Sequence, residues 1–143
     1  MSQDAGVLDL TFKAGADLED KKYHFVKLNG DGDVVVSDSD KAVSIGILQS
    51  ETDTKGDTID PEGQAVRVRL LGTSKLVMGV KCSVEGPFGG YNKGALIVSD
   101  DSGKGKVAKD PAEHIGAIAL EAADSADEII EVLITHMYAP ASV

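Results

Sequence analysis

The chain has 143 residues, enough for one domain around a single core and too few for two ordinary ones. Hydrophobic residues make up 42% and aromatics only 4%, with no Trp, so the interior must be built from Val, Ile, Leu and Ala. A formal net charge of −10 argues against direct nucleic-acid or anionic-membrane partners, and the single Cys82 cannot form an internal disulfide.

The opening stretch MSQDAGVLDLTF lacks a basic leader and an apolar signal region, and no apolar run approaches the roughly 20 residues that a helical span needs. A protein made soluble in the cytoplasm is expected. Residues 1–20 read as an N-terminal arm and first strand, with Leu8, Leu10 and Phe12 on one face. This apolar stretch can pair with its own sheet or reach a neighbour's. Next, YHFVKL and DVVVS flank NGDG, whose Asn-Gly and Asp-Gly pairs suit the positive φ of a hairpin turn. AVSIGILQS, QAVRVRLL and SKLVMGV are further strand candidates, the second with strict period-2 alternation of Val66, Val68 and Leu70 against Arg67 and Arg69. The first half therefore reads as a meander of short strands.

The loop EGPFGGYNKG follows, carrying Phe88 and Tyr91, two of only six aromatics. Exposed rings on a Gly-rich loop are candidate interface anchors, and they can equally fold back over the end of the core.

The stretch HIGAIALEAADSADEIIEVLI would pass for a helix on propensity. An internal match argues otherwise. The run from about 23 to 72 and that from about 94 to 136 share an order of apolar run, Asp- and Gly-rich turn, apolar run, Asp- and Lys-bearing connection, Ile-Gly pair and closing strand. With Ile45-Gly46 set on Ile115-Gly116 the offset is 70 residues, and the turns need one more. The closing stretch is then expected to be two strands, tertiary context overriding a weak propensity. A single helical turn is allowed at DPAE, a capping-box pattern. The expected fold is all-β: a small barrel or sandwich of two related halves with at most short helical turns, residues 21–143 forming one β domain.

Chemistry is sparse. His24, His114 and His136 have no zinc-ligand spacing, no nucleophile elbow occurs, and the acidic turns lack the calcium-loop pattern. No catalytic, cofactor or metal residues are assigned, and no enzyme activity is expected.

Taken in order, LTFKAGADLEDKKYHFVKLNGDGDVVVSDSDKAVSIGILQSE, the VRLLGTSKLVMG hairpin, KGALIVSDDSGKGKVA and the IGAIALEAA to IEVLI close resemble the small capsid cement or decoration proteins of tailed bacteriophages, over about Leu8 to Ile134. The stretch VKCSVEGPFGGYNKG departs from that pattern, being longer than the usual short turn. The resemblance implies a β-rich virion protein on the capsid exterior, bound to the major capsid protein as a homotrimer at three-fold or quasi-three-fold sites. Leu8, Leu10, Phe12, Phe88 and Tyr91 are then the candidate capsid or inter-subunit contacts. The alternative is a head-fibre-like receptor or glycan-binding module in which Phe88 and Tyr91 stack on sugar rings.

Overall fold

In the computed structural model, residues 6–53, 60–80, 95–110 and 112–139 are described. Among them lie ten strands and no helix: β1 (Leu8–Lys13), β2 (Phe25–Leu28), β3 (Val34–Val36), β4 (Gly46–Leu48), β5 (Ala65–Leu71), β6 (Thr73–Val77), β7 (Leu96–Ser99), β8 (Gly105–Val107), β9 (His114–Ala119) and β10 (Ile129–Tyr138). They form two antiparallel sheets of five strands, ordered β1-β5-β4-β2-β3 and β6-β10-β9-β7-β8. The sheets do not close into a barrel. The helix-like closing stretch is β9 and β10, paired through Val132 with Ala119 and Ile134 with Ala117.

The two strand orders are the same sequence of roles. Phe25 lies opposite Ile47 as Leu96 lies opposite Ile118, and the steps from Phe25 to Leu96 and from Ile47 to Ile118 are both 71 residues. Asp9 lies opposite Arg69 as Thr73 lies opposite Leu133, and here both steps are 64. Small devices repeat with the strands. Asn29 Oδ1 accepts from the backbone N–H of Asp31 and Asp33, at 2.9 and 3.0 Å. Asp100 Oδ1 accepts from Ser102 and Lys104, at 2.8 and 3.0 Å. These are the turns of the β2–β3 and β7–β8 hairpins, and Gly32 and Gly103 take the same positive φ of 82° that such turns require.

Three details differ from the sequence reading. The first half is no meander, because β1 pairs with β5 and β2 sits between β3 and β4. VRLLGTSKLVMG is no hairpin either: β5 has both edges occupied, by β1 and β4, so after Gly72 the chain passes into the other sheet, where β6 pairs with β10. The step of 71 that relates β2 and β4 to β7 and β9 sets Gly46 on Ala117 and Ile45 on Gly116, so the two Ile-Gly pairs are one residue out of register. Each glycine has its own cause. A Cβ at Gly46 would lie 2.1 Å from the Arg69 carbonyl oxygen, and one at Gly116 would lie 2.6 Å from the Phe25 ring.

The core follows the repeat. In the first half, Ala14, Val26, Leu48, Val66 and Val68 are buried together with Leu18, and Phe12, Val36, Ile45 and Leu70 pack beside them. In the second half, Met78, Ile97, Ala119, Ile130 and Val132 hold the matching positions, joined by Phe25 and Ile47 from the first.

Candidate interaction surface

Strand β1 is the outer strand of its sheet, so one of its edges is unpaired among the described residues. Leu10 lies opposite Val68 and Phe12 opposite Val66, while a register shift between Leu8 and Asp9 sets Leu8 opposite Leu71. Asp9 is pulled inward by Arg69, whose Nε and an Nη donate to its two carboxylate oxygens at 2.7 and 3.1 Å. Those hydrogen bonds hold the Asp9 carboxyl below the usual carboxylate range. Leu8 and Leu10 stay exposed, and Phe12 packs half-buried against the first-half core. Leu8 and Phe12 line a shallow, mostly apolar groove together with Leu28, Val43, Ile45, Leu70 and His136. The expected arm is thus, over Leu8–Lys13, a strand of its own sheet. Phe88 and Tyr91 lie outside the described residues.

Beside the groove, the His114 ring stands 5.6 Å from Tyr138, edge to face, and 6.2 Å from His136. His136 Nε2 lies 2.8 Å from the Leu70 carbonyl oxygen, a contact between the two sheets. Burial, then the neighbouring His136, pushes His114 below its ordinary range. Among the described residues its Nδ1 is buried without a hydrogen-bond partner. Among the described residues, no three His, Cys, Asp or Glu side chains are grouped so as to hold a metal ion, and no helix is long and apolar enough to cross a membrane.

No family model matches the chain, and no curated protein matches it. In architecture it is similar to a phage head-fibre base. That solved structure is the head fiber gp8.5 N base in bacteriophage phi29, with a TM-score of 0.60 at 14% sequence identity. The match covers 90% of this chain and 94% of the phi29 chain. At that identity the likeness to the phi29 base is one of fold.

The sequence reading passed over a second apolar surface. Leu96 pairs with Ile118, and Ile118 with Leu133, so the three stand side by side across β7, β9 and β10. Their face is opposite to the one that carries Ile97, Ala117 and Val132 into the core. The signal was present: β9 and β10 carry large apolar residues at both parities, as Ile115 with Ile118 and Ile130 with Leu133, a pattern that marks strands covered on both faces.

Proposed function

We propose that this chain is a structural protein of a bacteriophage virion that seats on the outside of the expanded capsid, contacts the major capsid protein as a homotrimer, and cements the shell. Its role is mechanical, with no catalytic step and no cofactor. The observation that carries this reading is the fold likeness to a phage head-fibre base over nearly the whole of both chains. Exposed Leu8 and Leu10, beside the edge of β1 that is unpaired among the described residues, offer apolar contact and backbone hydrogen bonds of the kind that strand addition uses. A net charge of −10 keeps such a subunit off packaged nucleic acid. If each subunit buries about 800 Å² on a neighbour, many copies on one lattice hold it firmly at modest affinity per site.

A second reading is favoured by the same neighbour, itself a head-fibre base: the domain anchors a receptor- or glycan-binding element, with Phe88 and Tyr91 as candidates for the sugar-stacking rings. Co-sedimentation with expanded shells and with unexpanded proheads tests both. Saturable binding to expanded shells alone, lost in a Leu8→Asp variant that keeps the wild-type oligomeric mass, is expected for cementing. Binding to neither shell would refute both capsid readings. Binding that leaves the shell's thermal stability unchanged would favour the fibre base.

A further inference from the structure

The second half of the chain has its core completed by the first. Phe25 and Ile47 sit in one cluster with Leu76, Ile97, Ala117 and Val132, and the Phe25 ring occupies the space that a side chain at Gly116 would need. At the margin of this contact, Gln49 Nε2 donates to Ser74 Oγ at 2.8 Å. Call Phe25, Ile47 and Gln49 the donor side; the receiving side is then Leu76, Gly116 and Ser74.

The repeat supplies each side once more. Steps of 71 carry Phe25, Ile47 and Gln49 to Leu96, Ile118 and Leu120. Leu120 keeps the backbone bond of its counterpart, donating N–H to Glu131 as Gln49 donates to Arg67. In reverse, steps of 64 lead from Leu76 and Ser74 back to Phe12 and Leu10, and a step of 71 leads from Gly116 back to Ile45. Among the described residues this second pair of surfaces does not meet within the chain. Leu120 is 39% exposed, Leu133 39% and Leu10 45%, while Phe12, Ile45, Leu96 and Ile118 are half-buried. Leu18 is itself buried in the first-half core beside Phe12 and Ile45, and Leu96 packs on one side against Val98, Ala108, Ile115 and Ala139.

The substitutions between the two sets point in one direction. Inside the chain the margin is a polar pair, Gln49 on Ser74; its counterparts are Leu120 and Leu10. Inside the chain the donor row runs Phe25, Ile47, Arg69, Asp9 and ends in an ion pair at 2.7 Å. Its counterpart row, Leu96, Ile118, Leu133, Thr73, carries no charge. Surfaces facing water would be expected to change the other way, toward charge.

We propose that the Leu96–Ile118–Leu133 surface of one copy, with Leu120, docks on the Leu10, Phe12 and Ile45 face of a second copy, repeating between chains the contact that joins the halves within one. The contact is head to tail, so every added copy again presents one free donor and one free receiving face, and growth ends when a ring closes. This rests on the internal repeat alone and stands whether or not the capsid reading does.

Light scattering coupled to size exclusion tests it with the full chain. The wild type is expected at a discrete mass of three or more protomers, and Leu10→Asp and Leu120→Asp each at the monomer mass. Mixed in equal amounts, the two variants are expected to give a dimer, because Leu10→Asp keeps its donor face and Leu120→Asp its receiving face; this also shows that both are folded. Leu133→Asp gives an independent block of the donor face with the same expected partner. A monomeric wild type, a variant that keeps the wild-type mass, or a mixture that stays monomeric overturns the proposal.

Discussion

Phe25 is the residue on which the two halves meet. It is 1% exposed, the largest fully buried side chain among the described residues, and its ring fills the space left by Gly116 in the opposite sheet. Its backbone is shared as well, since Phe25 N–H donates to the Gly103 carbonyl at 2.7 Å while its own carbonyl accepts from Ser37 at 3.0 Å. Truncation to Ala removes a ring from a site whose walls are strands of both sheets and cannot collapse onto the gap. Phe25→Ala is therefore expected to cost about 3–5 kcal/mol, read as the shift in a urea unfolding midpoint. Leu28→Ala, in the same strand but largely exposed, is the comparison, expected below about 1 kcal/mol. Equal losses from the two would mean that the sheets are not held together through Phe25.

At the scale of the element, strand pairing is decided by how closely backbones approach. Gly46 shows this, because a Cβ there would lie 2.1 Å from the Arg69 carbonyl oxygen and 2.9 Å from its carbon, both backbone atoms of the paired strand β5. Neither can move without opening the β4–β5 ladder. Gly46→Ala is expected to unfold the protein or to cost several times the roughly 1 kcal/mol of Gly32→Ala, where positive φ is the sole obstacle and no atom stands within 4 Å. Circular dichroism melts of the two variants give the comparison, and similar melting points would sink the close-approach account. The same scale marks where sequence was informative. The alternation of Val66, Val68 and Leu70 with Arg67 and Arg69, the Asn29 and Asp100 turns and the internal match all report local geometry, and they carried over into β5, the two hairpins and two related halves. Which edges remain free is a non-local matter. Thus VRLLGTSKLVMG read as a hairpin although β1, far away in sequence, already holds the edge of β5 that β6 would need. For the surface, Leu8 and Leu10 were legible as apolar residues of a first strand. The Leu96–Ile118–Leu133 row left a signal in the apolar residues at both parities of β9 and β10, but its meaning appears only when each residue is matched to its counterpart in the other half.

For the whole molecule, the balance of buried histidines and paired carboxylates sets the pH range in which the fold is most stable. His24 and His114 lie below their ordinary value of 6.5, each chiefly through burial; Lys21 and Lys104 add to the effect at His24, and His136 at His114. The unfolded chain therefore binds protons near pH 6.5 that the folded chain refuses, and stability falls as pH drops through that value. Asp9 and Asp40 act lower down. Hydrogen bonds from Arg69 and Lys106 hold their carboxyls below 3.8, so their contribution is present above that pH and is lost as pH falls further. Lys106 is raised above 10.5 by Asp40, and its contribution is lost only as pH climbs past that value. One force opposes the acid slope: the net charge of −10 relaxes as pH approaches the pI of about 4.6, easing self-repulsion. Wild-type stability alone cannot separate the two, but a His24→Asn, His114→Asn double variant can, since it keeps the carboxylates and removes the histidine protons. Each histidine contributes at most about 1.4 kcal/mol per pH unit, so urea midpoints between pH 7.5 and 5.5 resolve the difference. The wild type is expected to lose stability more steeply on acidification than the double variant. Parallel curves would mean that the two rings take up protons in the folded chain as readily as in the unfolded one, and that burial around β2 and β9 does not exclude the charge.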